Sequence, residues 1–502
     1  MKNTWLRKVT TEDSDIIFAW INDPDTRRFS LNSEAIPRQD HDAWFAKRMA
    51  DQYCYHYMVM NQDIPVGVVR LDLTEDGISS GEFRVSINIA PDERGKGYGK
   101  KALTLLVKQA ACEIPDARIL HAEIKMQNVS SVKGFEYAGF KRLYVTGGED
   151  PVAYYELTIN HSGIVYFRCD AGSVIGSGHL MRCLTIADAC DAKGLLPVFV
   201  MASGDMARIV QQRGYVCVVL GTDYSQMYLE IPALSAVVPD GATIFLDSYQ
   251  ITDSYMDSLH AHDYHLIRMT DGERINSDVE CLINYNLSAN KKEYPTSMLR
   301  CLIGPDYAPV RPAFCDFPFG VTENICEIMI TTGATDPYHI SLALLQQILN
   351  SDSYKKVKLQ VICGQYNTDL EVLKTLEKSY GDRVSIVTGE TDLSSYMRRA
   401  DFVFAGSGST VYELCAIGVP SAVFSFADNQ IPIAQAYGKI FPGMNLGDYR
   451  ESGFEIAKRA IDALDSVSTL FTRQAMSRKM QELVDGRGAA RIADAIYDVI
   501  FA

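Results

Sequence analysis

Apolar and polar positions alternate along this chain in a way that divides it into three blocks. In residues 1 to about 160, SDIIFAWIND (14–23) has helical spacing after a threonine-rich start. YHYMVM, IPVGVVRLDL and GEFRVSINI follow as short runs rich in Val, Ile and Tyr, separated by turn residues, and predict successive strands. A helix is expected from about Lys96 through Ile114, then a strand ILHAEIK (119–125), a short helix and a final strand VAYYELTI (152–159).

After Asn160-His161-Ser162-Gly163 the pattern changes. IVYFRCD (164–170) predicts a strand, HLMRCLTIADACDAKG (179–194) a helix stopped by Gly194, and LPVFVMA, ATIFLDS (242–248) and YHLIRMTD (264–271) further strands. Strands alternating with helices imply a parallel, doubly wound sheet. CDFPFGVTEN (315–324), with Pro318 and Gly320, has the composition of a domain joint. Beyond it the alternation restarts with ICEIMITTG, VKLQVICG, RVSIVTG, ADFVFAGSG and PSAVFSFA. The expected class is α/β, with an α+β domain at 1–160 and two doubly wound lobes at 164–317 and 318–502. Two such halves put a ligand cleft between them.

Composition narrows the partners. The 502 residues are 47% apolar and 22% charged, ordinary for globular domains, and the net charge of −15 disfavours a nucleic-acid partner. Twelve cysteines are scattered singly between Cys54 and Cys415, with no CxxC pair. That spacing suits neither zinc nor a disulfide framework, so no metal and a reducing, cytoplasmic location are expected. No apolar run reaches about 18 residues, and MKNTWLRKVTTED lacks signal-peptide character, so no membrane partner is expected.

PDERGKGYGKKALTLL (91–106) places Gly95, Gly97 and Gly99 between a strand and a helix. Small residues there let backbone N–H groups converge on an anion at the positive end of the helix, and Arg94, Lys96 and Lys100 favour a polyanion further. A tight strand–helix turn without a ligand would read the same way taken alone. With the preceding strand FRVSINI, Arg94-x-x-Gly97-x-Gly99 resembles the pyrophosphate signature of the GNAT N-acetyltransferases; Asn128 and Glu136-Tyr137-Ala138-Gly139-Phe140 resemble that family's closing segment. The resemblance covers about residues 4–160. It implies acetyl-CoA as co-substrate, held by Arg94, Gly95, Lys96, Gly97, Tyr98, Gly99, Lys100 and Asn128 and by the splayed strand Val85–Ile89, through Ile87 and Ile89. It also implies direct attack of a substrate amine on the thioester. Many members use a tyrosine as general acid where this chain has Phe135, so Tyr137, two positions on, is the candidate for that role. Glu82, beside the amine site so implied, is a candidate proton relay.

VIGSGHLMRC (174–183) puts His179 after a Gly-Ser-Gly step at the start of a helix. The positive end of a helix dipole disfavours imidazolium, and a neutral imidazole is what a general base must be. A histidine that caps the helix or bonds a loop carbonyl is the plainer alternative. LDSYQ ends a strand in Asp-Ser-Tyr, LIGPDYAPVRPAF combines Gly, Tyr and Arg, and TTGATDP is a thin strand–helix loop. AGSGSTVYELCAIGVPSAVFSFADNQ (405–430) sets hydroxyls and amides at Ser407, Ser409 and Thr410 for a pyrophosphate, with Glu413 placed to accept ribose hydroxyls and Asn429-Gln430 to close the site.

Across about 164–500 these landmarks resemble the UDP-sugar hydrolase of pseudaminic acid biosynthesis and, more distantly, the UDP-GlcNAc transferase of peptidoglycan precursor synthesis. They are Arg168-x-Asp170, Gly176-x-Gly178-His179 with Arg182, Asp247-x-Tyr249, Gly304-Pro305 through Tyr307 to Arg311, Gly333-x-x-Asp336, and Ser409 to Glu413 with Asn429 and Gln430. The resemblance implies a two-lobed GT-B-like fold that binds a UDP-sugar, with His179 activating water and no metal required. In that pathway N-acetylation of the 4-amino sugar precedes the hydrolysis, so a chain with both halves would carry out consecutive steps. A GT-B glycosyltransferase fused to an acetyltransferase, and a non-catalytic acyl-CoA or nucleotide sensor, are the alternative readings.

Overall fold

The computed structural model of the chain describes residues 4–74, 80–172, 175–272, 278–290, 292, 294, 300–315, 320–333, 335–364, 367–390 and 392–502. Pro318 of the expected joint, Ser173 and Val174 before His179, and Ala334 lie outside the described residues. The chain divides into two compact units, Met1–Ile175 with Gly194–Thr243, and Gly176–Lys193 with Ile244–Ala502.

The first unit opens with a seven-stranded sheet in the order β1-β2-β3-β4-β5-β7-β6. Its strands are β1 (Thr4–Lys8), β2 (Cys54–Asn61), β3 (Ile64–Leu73), β4 (Glu82–Ile89), β5 (Ile119–Lys125), β6 (Lys141–Val145) and β7 (Val152–Thr158). All neighbours are antiparallel except β4 and β5. Strand alternation sends two sets of apolar side chains to opposite faces. Trp5, Met58, Met60 and Val68 meet Ile17 and Trp20 of α1 (Ser14–Ile21) and Phe45 of α3 (Arg38–Ala50), with the short α2 (Pro24–Phe29) between those helices in the chain. On the other face Phe83, Val85 and Leu120 meet Leu103 and Leu106 of α4 (Tyr98–Glu113) and Phe135 of α5 (Val129–Tyr137).

β4 and β5 pair only at Glu82↔Ile119, Phe83↔Leu120 and Arg84↔His121, although both strands continue. Bonds from Thr74 N to Glu82 O and from Ala90 N to Val66 O turn the backbone of the even-numbered residues 82–90 toward β3. The N–H and C=O groups of Val85, Ile87 and Ile89 therefore face the widening gap beside β5. This unit also holds three parallel strands, ordered β10-β9-β8: β8 (Ile164–Cys169), β9 (Leu196–Met201) and β10 (Val216–Val219).

In the second unit β11 (Thr243–Asp247), β12 (His265–Met269), β13 (Cys281–Asn284) and β14 (Cys301–Ile303) lie side by side in that order, and α6 (Gly178–Ala192) belongs with them. A six-stranded, all-parallel sheet follows in the order β17-β16-β15-β18-β19-β20. It is built from β15 (Glu327–Thr331), β16 (Lys358–Cys363), β17 (Val384–Thr388), β18 (Phe402–Gly406), β19 (Ser421–Ser425) and β20 (Asn445–Asp448). Chain order reverses between β15 and β18, and open parallel sheets bind ligands at the carboxyl side of such a reversal. The α/β class and the repeated parallel sheets agree with the sequence expectation. Strands β1, β6, β10, β13, β14 and β20 are additions to it. Among the described residues no helix is long and apolar enough to cross a membrane.

Candidate functional site

Asp247 ends β11, Asp271 and Tyr285 follow the carboxyl ends of β12 and β13, and all three close on one guanidinium from α6. Arg182 Nε and Nη2 donate to the two oxygens of Asp247 at 2.6 and 2.5 Å, and Nη1 donates to Asp271 Oδ1 at 2.8 Å and to the Tyr285 hydroxyl at 3.1 Å. His179 stands one helical turn before Arg182, on the same face of α6. Its Nδ1 lies 2.7 Å from Asp247 Oδ1 and 3.0 Å from Arg182 Nη2. Arginine only donates, so Nη2 serves the carboxylate and Asp247 accepts Nδ1–H; the lone pair is left on Nε2. The Tyr249 ring meets the imidazole edge-on, with centroids 4.5 Å apart at 78°, and its hydroxyl donates to Asp271 Oδ2 at 2.5 Å.

The electrostatics follow from burial. Asp247 is only 1% exposed, and burial alone would raise its pKa. Arg182 and His179 outweigh that and hold the carboxylate well below its usual range. Burial likewise opposes the charge of Arg182, but Asp247, Tyr285 and Asp271 shift it upward. Burial beside Asp271 pushes the Tyr249 hydroxyl up. The cluster is a fixed, charged frame around one imidazole.

A second group of residues joins this frame. Tyr285 packs edge-on against Tyr412, 5.1 Å between centroids, in α8 (Thr410–Ile417). The Tyr412 hydroxyl donates to Asn286 Oδ1 and accepts from Leu287 N, both at 3.2 Å. The next residue, Glu413, accepts from Arg311 Nη2 at 2.8 Å and Nε at 3.1 Å. Burial raises the Glu413 pKa, partly offset by Arg311. Ser409 is the N-cap of α8 and makes no side-chain cap bond, and Thr410 is the first residue of the helix. Ser407 is buried, its Oγ facing the carbonyls of Phe424 and Gln430 at 2.9 and 3.2 Å. The Gln430 side chain accepts from Phe426 N, whereas Asn429 is exposed. Gly333 sits at φ +89° beyond β15, and a Cβ on Gly406 would lie 3.6 Å from Thr332 O, so the two loops adjoin at the order reversal. Asp336 is enclosed and accepts from the amides of Ile340 and Ser341, which start α7 (Ile340–Leu349). Gly178 is the first residue of α6, and Tyr307 closes a short turn after β14.

Arg168 and Asp170 belong to the first unit. Arg168 has no exposed surface; it donates to Glu230 at 2.7 and 2.6 Å and to Asp170 at 2.5 Å, and Asp170 also accepts from Ala202 N. The guanidinium faces these carboxylates, a role in holding the fold.

In the first sheet, Gly95 and Gly97 lie at φ +76° and +87°, where other residues are strained, and Gly97 precedes α4 without a side-chain cap. The first amides of α4, at Tyr98, Gly99 and Lys100, are left for an anion. Tyr98 itself is buried. Arg94 donates at 2.6 Å to both Asp23 and Thr26 at the start of α2, and Lys96 pairs with Glu93. Asn128 caps α5 through Ser131 N. Lys100 lies over the ring of Tyr137, which ends α5 and is 68% exposed, while Phe135 is buried against Phe140. Glu82 meets His121 at 3.0 Å. Asp271, Tyr285 and His121 were not singled out by sequence. The signal available for Asp271 was a second apolar strand ending in an acid, MTD beside FLD.

Residues 3–141 match the family model described as acetyltransferase (GNAT) domain. Over 209 residues the chain is 23% identical to the spore coat polysaccharide biosynthesis protein SpsG of Bacillus subtilis (strain 168), covering 41% of this chain and 60% of that protein. Over 326 residues it is 20% identical to an uncharacterized protein of Methanocaldococcus jannaschii, covering 60% of this chain and 65% of that one. The chain thus spans 60% and 65% of the lengths of these relatives. Among solved structures it is similar to spermidine N-acetyltransferase from Vibrio cholerae in complex with CoA and spermine, at 16% identity, 32% of this chain, 97% of that one and a TM-score of 0.28. It is also similar to a domain from Methanocaldococcus jannaschii, at 23% identity, 31% and 97% coverage and a TM-score of 0.27. The N-terminal end of the chain carries a GNAT acetyltransferase domain.

Proposed function

We propose that the protein is a bifunctional enzyme of nucleotide-sugar metabolism. Its domain at 1–160 transfers acetyl from acetyl-CoA to the 4-amino group of UDP-4-amino-4,6-dideoxy-N-acetyl-β-L-altrosamine. Its lobes at 164–317 and 318–502 then hydrolyse the resulting UDP-2,4-diacetamido-2,4,6-trideoxy-β-L-altropyranose to free sugar and UDP. The observation that carries the hydrolase half is His179, with Nδ1 against Asp247 and Nε2 as proton acceptor, in a frame joined through Tyr285 and Tyr412 to the start of α8. Nε2 takes a proton from water, the oxygen forms a bond to the anomeric carbon with inversion, and the bond to the UDP oxygen breaks. Asp247 stabilises the imidazolium as it forms. The amides and hydroxyls at Ser409 and Thr410 receive the pyrophosphate. The acetyltransferase half is supported by the family match, the amides at the start of α4 and the gap beside β4. A sugar substrate accords with the polysaccharide role in the Bacillus relative's name.

The test is incubation with acetyl-CoA and the UDP-4-amino sugar, following free thiol and UDP separately, with a chelator present in one arm. Thiol should appear first and UDP after it, with or without chelator. UDP release only when a sugar or lipid acceptor is added would favour the glycosyltransferase reading. Glu413→Gln should raise KM for the UDP-sugar by about tenfold or more, the value of a hydrogen bond to a charged group, with a much smaller change in kcat.

A further inference from the structure

His121 stands on β5 at the last rung shared with β4, opposite Arg84, where the gap beside Val85, Ile87 and Ile89 begins. Its Nε2 lies 3.0 Å from Glu82 Oε2, and among the described residues no other group bonds the ring. The carboxylate takes Nε2–H, so Nδ1 keeps its lone pair. The pair is accessible, with side chains 30% and 33% exposed, whereas Phe83, Val85 and Leu120 point to the opposite face and are buried. Charge on the accessible face is mixed. Arg84 and Glu123 lie 3.4 Å apart, Glu156 of β7 is in register with His121, and Lys141 of β6 is in register with Glu156.

We infer that His121 takes the proton from the acceptor amine during acetyl transfer, with Glu82 as a positioning residue that fixes the tautomer and direction of its ring. This rests on the acetyltransferase reading and adds the acid–base group to it. Phosphates held at Gly95–Lys100 anchor the cofactor beyond the carboxyl end of β4. A thioester arm laid along Ile89 and Ile87 toward Arg84 brings the acyl carbon to the rung that carries His121. The amine nitrogen bonds that carbon and the C–S bond breaks. The sulfur leaves with the electron pair and is protonated from solvent, and the proton shed by nitrogen passes to His121 Nδ1.

Two measurements on the full chain test this. Diethyl pyrocarbonate carbethoxylates accessible imidazoles, and acetyl-CoA should slow modification of His121 several-fold, read by peptide mass, whatever the acceptor amine is. With the UDP-4-amino sugar as acceptor, His121→Gln should lower kcat for thiol release by about 100-fold or more, the scale of general-base catalysis, with an unchanged Kd for acetyl-CoA. Glu82→Gln should lower kcat without moving KM for acetyl-CoA. Acetyl-CoA binding without protection of His121, or His121→Gln turning over like wild type, overturns the inference and leaves the acetyltransferase reading standing. Absence of acetyl-CoA binding overturns both.

Discussion

Replacing His179 by alanine is expected to cut UDP release by about 10²- to 10⁴-fold, the contribution of a positioned general base, and to leave thiol release from acetyl-CoA unchanged. The separation follows from the chemistry. His179 makes its contact to Asp247 within the second unit, and the groups we assign to acetyl transfer lie around β4 and β5 of the first. The fold should tolerate the change, because Asp247 keeps both oxygens bonded to Arg182. An unchanged thermal midpoint with lost UDP release would assign the effect to chemistry. KM for the UDP-sugar should move little, since the pyrophosphate and ribose are assigned to Ser409, Thr410 and Glu413. UDP release persisting in His179→Ala would remove His179 as the base and leave the hydrolysis to another group.

Much of this was legible in the chain because the governing signals are local. Runs such as IPVGVVRLDL and FVFAGSG announce a strand and its stop within ten residues. Glycines at 95 and 97, which the turn needs at positive φ, mark their loop wherever they occur. The strand end LDSY and the helix start GHLMR likewise put Asp247, Tyr249 and His179 at sheet edges that face a ligand, while Arg182 entered only through the family resemblance.

What escaped is non-local. β6 is short and exposed at every position, so no alternation advertises it. The meeting of Asp271 and Tyr285 with Arg182, across 89 and 103 residues, depends on strand order in the sheet. Roles were harder to read than places. Arg168 and Asp336 look like ligand contacts in sequence, but their polar atoms serve Glu230 and Asp170 and the amides that start α7, and Asn128 gives its Oδ1 to the cap of α5. An acid near a loop reads the same whether it binds a substrate or satisfies a helix terminus, and only the neighbours decide. Asp247 is the sharpest instance. The chain suggests a substrate contact, and the geometry gives a carboxylate with both oxygens committed.

Asp247→Asn is therefore expected to act on activity and stability separately. The amide can present its NH₂ to Nδ1, which forces the proton to Nε2 and removes the base; in serine proteases the equivalent change costs about 10⁴-fold in kcat. Stability should fall as well, because Arg182 stays buried and charged beside a neutral partner, and breaking a buried pair costs about 3–5 kcal/mol. The sign with pH follows from the depressed pKa of Asp247. A carboxylate held below its unfolded value adds stability that is complete above about pH 4, the unfolded reference, and is lost as pH falls through the folded value. Urea unfolding across pH 3–7 should show a wild-type advantage that shrinks toward acid, while Asp247→Asn loses this part of the pH dependence. Pairing Asp247→Leu with Arg182→Met removes both charges, so it should recover stability relative to Asp247→Asn without recovering UDP release. Activity returning with stability in that double variant would show that Asp247 and Arg182 support the fold alone and that His179 needs neither of them to work.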